Sequence, residues 1–410
     1  MLLTYDTYSN RIAFSDHIST GILPYFAAAI RLWRERGPGN SLTFDFSRVS
    51  KAFANGMLGV IATANNLRSQ GVDIIVTPPY NQIPKQFFST TNWAHLLDPR
   101  LARANNKRNH FVQRFSSYEE LPYVVNNFME VVLRHIQMPR DIQSALEWSV
   151  NEICDNVINH AQTDAGGYLQ VIAYPKHDLI AFTVADAGRG ILHSLQEGIP
   201  TLEKDVQAIK EAIKAGVTRN KQFGQGNGLA GTFRITSMTG GSLDILTGEG
   251  RLLLEGHGNK TFEYGNNRSF QGTCVSGQIV LSHQFSVRQA LTFGAIPYEP
   301  YTIVDQKYEM QDQDALLVKM SKQEGGTGTR AAGGEMHTMI LNLMEAKPGY
   351  PIYLNWENVE VIASSFSDEF LGKLFVKLGK VQFEAVIKNI NINDVVEHII
   401  SKAISERAAD

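Results

Sequence analysis

Three polar side chains fall on one face of a predicted helix near the middle of the chain. The segment from Arg140 to Ala161 has apolar residues at helical spacing, and Glu152, Asn156 and Asn159 form a neighbouring stripe. Residues four apart project from the same face, so the Glu152 carboxylate and the Asn156 amide point the same way. An amide oxygen suits Mg²⁺, and a carboxylate can orient a water or accept a hydroxyl proton. Polar pairs at this spacing are also common on solvated helix faces, so the pattern alone leaves both interpretations open.

A second polar group follows a predicted strand, Leu179 to Ala185. Asp186 ends that strand, and Gly188 and Gly190 come directly after it. The carboxylate offers an acceptor for an exocyclic amine, and the glycines allow a flat ring to approach the backbone. An ordinary Asx turn after a strand would use the same residues.

A third group is a glycine cluster at alternate positions. Gly224, Gly226 and Gly228 precede Leu229 and open a predicted helix. Glycines at this spacing expose backbone N–H groups, and the helix N-terminus adds its dipole, so an anion is favoured there. A glycine cluster in isolation is also a common flexible turn.

The elements that must position these residues fall into three blocks. The first runs to about residue 108, the second from about 111 to 283, and the third begins near Tyr301. The corresponding predicted domains are residues 1–108, 109–285 and 300–410. Alternating helices and strands in each block predict a chain of α/β and α+β domains.

In order and spacing, the motifs of the second block resemble those of the GHKL ATPase superfamily. The resemblance covers about residues 111–283 and implies a Bergerat-type α/β sandwich that binds ATP with Mg²⁺. The matching residues are Glu152, Asn156, His160 and Ala161 in the helix, Asp186, Gly188 and Gly190 in the turn, Gly224, Gly226, Gly228 and Leu229 in the glycine cluster, and Gly272 and Thr273 before the last strand.

The resemblance also implies a role for each matched residue. Asn156 would bind Mg²⁺, and Glu152 would act as general base or water-orienting group. Asp186 would accept a hydrogen bond from the adenine amine, with Thr273 nearby. Gly188 and Gly190 would let the backbone approach the base.

The phosphates would be bound by the glycine cluster. Gly224, Gly226 and Gly228 would wrap them, followed by Leu229, and Asn159 could support them. The residues from 191 to 223 would form a lid over the nucleotide.

Several branches of the superfamily remain open, and one is excluded. His135 lies too close to Glu152 for the dimerisation hairpin of a sensor histidine kinase. The opening Ser117 to Pro122 and the Met138-Pro-Arg turn look most like the anti-sigma-factor serine kinases. The sequence does not choose between phosphate release and phosphate transfer.

The first block resembles a STAS-type domain. Asp45-Phe-Ser-Arg-Val fits the end of the strand Ser41 to Phe46, and Gly56-Met-Leu-Gly fits the start of the following helix. The family's phosphoacceptor serine would fall near Ala54 or Asn55, neither of which can be phosphorylated. The alternative is an ordinary βαβ domain, with a second strand from Val72 to Thr77.

The third block resembles a STAS-like family. The matching residues are Thr329, Arg330, Gly334, Ser364, Ser365, Phe366 and Glu369. Ser364 and Ser365 are possible phosphoacceptors at a helix N-terminus, where negative charge is tolerated. The alternative is that they only cap the helix. Asn355 replaces the family's usual acidic strand residue, which argues against an acid-dependent role.

Composition sets the remaining expectations. The 410 residues are 43% hydrophobic and 19% charged with a formal net charge of −3, as in an ordinary soluble globular protein. Lys and Arg are scattered, so no nucleic-acid partner is indicated. No run approaches the ~20 apolar residues of a membrane span, and no signal peptide is apparent, which predicts a cytoplasmic protein. Cys154 and Cys274 are expected to be buried thiols.

Three functions are compatible with these features. The first is a Mg-dependent ATPase switch whose nucleotide state is read by the flanking STAS-like domains. The second is a protein serine kinase acting on a STAS-like partner or on its own C-terminal domain. The third is a nucleotide-sensing scaffold with little turnover. A protein partner or a homodimer through the STAS-like domains is plausible in each case.

Overall fold

The computed structural model describes residues 3–37, 39–104, 112–216, 226–256, 258–293, 298–323 and 325–409, without the side chain of Asn266. The chain divides into two compact units. Unit 1 comprises Met1–Phe128 and Ala145–Glu299, and unit 2 comprises Met129–Ser144 and Pro300–Asp410. Helices accompany β-sheets in both units, which agrees with a mixed α/β multidomain fold. The STAS-like assignment of the flanking regions stays a prediction.

The N-terminal part of unit 1 has four strands among the described residues, paired in the order β1-β2-β3-β4. They are β1 (Leu3–Asp6), β2 (Arg11–Ile18), β3 (Ser41–Ala52) and β4 (Asp73–Thr77). The helices are α1 (Leu23–Glu35), α2 (Ala54–Ser69), α3 (Gln82–Thr90) and α4 (Trp93–Leu97). Strands β3 and β4 are parallel, which confirms the predicted βαβ unit, although β3 extends beyond the predicted end at Phe46.

A second sheet of unit 1 carries the predicted nucleotide site. Its described strands are β5 (Gln113–Phe115), β6 (Gly167–Tyr174), β7 (Leu179–Asp186), β8 (Ser242–Gly248), β9 (Gly250–Glu255), β10 (Gly258–Glu263) and β11 (Phe270–Val280). They pair antiparallel in the order β10-β9-β8-β11-β7-β6-β5. The accompanying helices are α5 (Leu121–His135), α6 (Arg140–Asn156), α7 (Gly190–Gln196), α8 (Asp205–Ala212), α9 (Gly228–Met238) and α10 (Val287–Ala290).

Helix α2 joins the two sheets of unit 1 in one hydrophobic core. It contacts β4 of the first sheet and β6, β7 and β11 of the second. A Cβ on Gly56 would lie 2.7 Å from the main-chain carbon of Ser19, so glycine lets α2 approach the backbone that follows β2. At the helix start, the Cys274 thiol of β11 donates to the Asn55 carbonyl over 3.4 Å. Asn55, where a STAS phosphoacceptor would fall, therefore lies against the second sheet.

Unit 2 contains a parallel sheet with strand order β12-β13-β14 in its described residues. The strands are β12 (Leu316–Lys319), β13 (Ile352–Asn355) and β14 (Ile387–Ile390). The helices are α11 (Arg330–Ala346), α12 (Ser364–Ser367), α13 (Lys373–Val386), which is kinked at Gly379, and α14 (Asp394–Ala409). The sequence predicts a helix from about Glu335 to Glu345, a strand from Pro351 to Trp356 and a helix from Asn393 to Ile404, and these overlap α11, β13 and α14.

One local prediction for unit 2 is wrong. The sequence predicts a strand from Phe383 to Ile387. In the structure α13 continues to Val386, and β14 begins only at Ile387. The Phe383 ring packs against Phe375 at 5.4 Å between centroids, across the break in α13 at Gly379.

Candidate functional site

Helix α6 places the predicted catalytic and metal-binding residues beside the start of α9. Leu146, Val150 and Ile153 are buried, as expected for the core stripe, and Glu152 and Asn156 lie on the partly exposed face. A Cβ on Gly228, the first residue of α9, would lie 2.6 Å from Glu152 Oε2 and 3.5 Å from Asn156 Nδ2. The structure thus brings Glu152, Asn156 and Gly228 together, at a helix N-terminus that favours anions.

Burial changes the acidity of Glu152. Desolvation, with a smaller contribution from the nearby Asp155 carboxylate, raises its pKa to about 7. A carboxyl group with a pKa near neutrality is suited to accept a proton at neutral pH. This property supports the predicted general-base role.

The helix that carries Glu152 does not end as a regular α-helix. Val157–Ala161 form a π-helical turn, a feature that often occurs at functional sites. On this turn the Asn159 amide donates to Asp155 Oδ2 over 2.7 Å, and its oxygen accepts from the Tyr118 hydroxyl. Asn159 therefore lies next to Asp155 and Tyr118, and its contact with phosphates stays a prediction.

Asp186 is at the end of β7, as predicted, and its side chain is only 3% exposed. Its Oδ1 accepts from the Gly188 N–H over 2.8 Å, and it also accepts from the Thr273 N–H. Burial nevertheless raises the pKa of the carboxyl to about 6. An additional donor, such as an amine, would stabilise the ionised form.

The two glycines after Asp186 are required by close packing. A Cβ on Gly188 would lie 2.2 Å from the carbonyl oxygen of Ala161. Gly190 has φ +78°, and a Cβ there would lie 2.8 Å from Thr247 Oγ1. The turn is therefore held between the end of the Glu152 helix and the end of β8.

Thr247 is a site residue that sequence reasoning missed. It is fully buried on β8, where its Oγ1 donates to the Gly272 carbonyl over 2.9 Å and accepts from the Ile191 N–H over 3.1 Å. The Thr273 hydroxyl donates to the same oxygen over 3.3 Å. Thr247 thus links the Asp186 turn to Gly272 and Thr273. The only sequence signal is a polar residue at the end of an apolar run.

Arg189 is a second residue that was missed. Its N–H donates to the Ala161 carbonyl and its Nε to the His160 carbonyl, both over 2.9 Å. Its guanidinium also forms an ion pair with Glu197, just beyond α7. One side chain therefore joins the end of the Glu152 helix to the first helix after the Asp186 turn. Carbonyls at a helix end lack intrahelical donors, and Arg189 supplies such a donor here.

The predicted lid is partly helical. Helices α7 and α8 lie in it, and they share a small apolar cluster with Leu229, made of Ile191, Leu192, Leu195, Ile199, Leu202, Ala208 and Ala212. Asp205 of α8 accepts from the Glu249 N–H over 2.9 Å, which attaches α8 to the β8–β9 hairpin. Gly226 has φ +70°. Gly224 and residues 217–225 as a whole lie outside the described residues.

The motif residues of the third block come together in unit 2. Arg330, at the start of α11, pairs with Asp368 and Glu369 at 3.1 and 2.8 Å. Ser364 is exposed and Ser365 is half-buried at the start of α12. The interpretation of these serines as N-cap residues is wrong, because the N-cap is Ala363 and both serines lie within the helix. Whether either is phosphorylated stays a prediction.

Further features of the described residues bear on class and ligands. No described helix is long and apolar enough to cross a bilayer. Within the same residues, no group of three or more His, Cys, Asp or Glu side chains could hold a metal ion. Binding of Mg²⁺ by Asn156 stays a prediction. Cys154 and Cys274 are buried free thiols, as expected.

Comparison with known proteins places the site in a class. Residues 116–230 match the family described as histidine kinase-like ATPase domain. This range includes Glu152, Asn156, Asp186 and the glycine cluster, and it supports the predicted GHKL-type ATPase domain. It does not extend to Thr273 or to the flanking regions. No curated protein and no solved structure matches the chain.

Proposed function

We propose that the protein is a regulatory ATPase that binds Mg-ATP, and that its flanking domains read the nucleotide state. The observation that carries this proposal is the convergence of Glu152, Asn156 and Gly228 at the start of α9. The match to the histidine kinase-like ATPase family supports the same class.

The described residues fit the two parts of ATP. The buried Asp186, when ionised above its pKa of about 6, is suited to accept from the adenine amine, and the closely packed Gly188 and Gly190 hold the turn that follows it. Asn156 would hold Mg²⁺, which neutralises phosphate charge when bound. In the proposed hydrolysis Glu152 accepts a proton from water, that water's oxygen bonds to the γ-phosphorus, and the bond to the β-phosphate oxygen breaks.

The fold favours hydrolysis over phosphorylation of the N-terminal domain. Asn55 stands where a STAS phosphoacceptor would fall, and its backbone carbonyl accepts from the Cys274 thiol. This end of α2 packs against β11 in the core of unit 1. A partner or a second copy of the chain would therefore be recognised through other surfaces of the flanking domains.

The test is to follow labelled γ-phosphate. The full-length protein is incubated with Mg²⁺ and γ-labelled ATP, beside Glu152→Gln, Asp186→Asn and the exposed carboxylate control Glu255→Gln. We expect free phosphate from the wild type and the control, and strongly reduced release from the two site variants. No ATP binding by the wild type would refute the proposal.

A serine-kinase function is the second candidate. It is favoured by the exposure of Ser364 at the start of α12. In this case the label stays on protein, and Ser364→Ala combined with Ser365→Ala removes it. Label that persists on the double variant would exclude self-phosphorylation at these serines. The scaffold alternative is disfavoured because Glu152 has a pKa suited to proton transfer.

A further inference from the structure

The turn between α5 and α6 is held by a single buried asparagine of α11. Asn342 is fully buried, and its amide donates to the carbonyls of Leu133 and Ile136 over 2.6 and 2.8 Å. Its Oδ1 accepts from the Met138 N–H over 2.8 Å. Both amide hydrogens and the oxygen are therefore used on one turn of backbone.

A second buried amide strengthens this contact from the opposite element. Gln143, on the first turn of α6, donates through Nε2 to the Asn342 carbonyl and to the Met138 carbonyl, both over 3.0 Å. The Asn342 side chain of α11 thus bonds to the backbone of the α5–α6 turn, and the Gln143 side chain of α6 bonds to the backbone of α11. Such reciprocal bonds leave little freedom for the turn to rotate or slide, because each has a narrow range of good geometry.

Charged and polar pairs surround the buried amides. Glu130 of α5 pairs with Lys307, and His135 lies 3.6 Å from Glu335 of α11. Gln137 accepts from Lys377 over 3.2 Å. The end of α5 and the start of α6 are therefore part of the structure of unit 2, as their grouping also indicates.

The helix that starts in unit 2 ends with the proposed catalytic residues. Arg140–Ser144 of α6 belong to unit 2, and the helix continues without Gly or Pro to Glu152 and Asn156. At 1.5 Å per residue, Glu152 lies only about 13 Å along the axis from Gln143. An uninterrupted helix of this length moves as a stiff element.

We propose that Asn342 is a positioning residue for the ATP reaction. Asn342 fixes the turn from which α6 begins, and α6 carries Glu152 and Asn156, so the bonds of Asn342 set the placement of these two side chains. The inference rests on the proposed ATPase function. Asp186 lies on β7 and not on α6, so base binding is independent of this link, and the effect is on turnover more than on affinity.

The test uses Asn342→Asp in the full-length protein. Aspartate keeps the shape and can still accept from the Met138 N–H, but it turns an oxygen toward the Leu133 and Ile136 carbonyls. We expect kcat for ATP hydrolysis to fall at least about fivefold, while KM and the Kd for ADP stay within about twofold. The control Tyr350→Phe removes a hydrogen bond of 3.0 Å to Asp314 elsewhere in unit 2 and should change neither value.

Hydrogen exchange of the wild type gives a second readout that needs no variant. With Mg²⁺ and a non-hydrolysable ATP analogue, we expect slower exchange at residues 186–190, 129–144 and 330–346. Slower exchange at 186–190 without change at 330–346 would overturn the inference and leave ATP binding intact. Wild-type kcat in Asn342→Asp, or an equal loss of kcat and ADP affinity, would also overturn it. No change at 186–190 would instead refute the ATP site itself.

Discussion

Burial favours the protonated form of the Asp186 carboxyl, whereas its proposed role as acceptor for the adenine amine requires the ionised form. Its pKa is raised by burial to about 6, so the folded protein binds a proton more tightly than the unfolded chain. Stability from this group is therefore full below about pH 4 and is lost as the pH rises through about 6. The ionised form, present above that range, is the better acceptor for an amine.

Asp186→Asn should separate these two demands. We expect the nucleotide-free variant to be more stable than the wild type by about 3 kcal/mol at pH 8, with the difference vanishing toward pH 4. We also expect at least about a tenfold loss of ADP affinity at pH 8, because a charge-assisted bond is lost. Thermal unfolding from pH 4 to 8 and calorimetric titration measure the two effects. A variant less stable at pH 8 would contradict the sign.

Two glycines of the site should respond differently to alanine. At Gly228 the crowded atom is the end of the flexible Glu152 side chain, whereas at Gly188 it is the Ala161 backbone carbonyl. We expect Gly228→Ala to change the unfolding free energy by less than about 1 kcal/mol while lowering kcat at least about tenfold. Gly188→Ala should destabilise the protein by about 1–3 kcal/mol.

Urea unfolding and ATP turnover of both variants give the comparison. A control is Gly258→Ala, since no atom lies within 4 Å of the added Cβ. Loss of stability in Gly228→Ala equal to that in Gly188→Ala would mean that Glu152 is held rigidly.

At the scale of elements, the start of α7 is attached to the Glu152 helix by Arg189. Its guanidinium satisfies a helix-end carbonyl on one side and pairs with a half-exposed Glu197 on the other. The first contact satisfies a helix-end carbonyl, whereas the second pairs the guanidinium with a half-exposed carboxylate. The two interactions should therefore differ in energy.

A double-mutant cycle of Arg189→Gln and Glu197→Gln tests this difference. We expect Arg189→Gln to lower the free energy of unfolding by about 1–3 kcal/mol and Glu197→Gln by less than about 1 kcal/mol. The coupling between them should also stay below about 1 kcal/mol. Urea unfolding of the four proteins measures these values, and equal single-variant effects would show that the helix-end contact is unimportant.

The residues of the candidate site that carry chemistry could be predicted from the sequence, because the helical and strand patterns of their own segments determine where they lie. Helical spacing puts Glu152 and Asn156 on one face, and the end of a buried strand puts Asp186 at the sheet edge. Thr247 and Arg189 were not accessible, since their roles depend on the pairing of β8 with β11 and on the approach of a turn to a helix end. Periodicity within a segment carries no information on such contacts.

At the scale of the whole chain, the shared core of unit 1 was also hidden from the sequence. The sequence of α2 is typical of the helix in an ordinary βαβ unit, and no local pattern indicates that a second sheet packs against it. In the structure, Phe44 and Phe46 of the first sheet belong to the same buried cluster as Tyr168 and Phe270 of the second. The hydrogen bonds between Asn342 and the α5–α6 turn likewise join residues about 200 positions apart.

The shared core predicts that unit 1 unfolds as one cooperative body, including its N-terminal sheet. Gly56→Ala is the sharpest perturbation, because the added Cβ would lie 2.7–2.8 Å from the Ser19 backbone and should cost about 1–3 kcal/mol. Amides that exchange only by global unfolding of the unit should then exchange about 5- to 150-fold faster. We expect this acceleration in β7 and β11 as much as in β3, and none in β12 to β14. Hydrogen exchange measured by mass spectrometry, with Gly258→Ala as control, resolves these strands. Acceleration confined to residues 3–104 would mean that the N-terminal sheet folds independently of the ATPase sheet, and the core that α2 forms between them would then add no cooperativity.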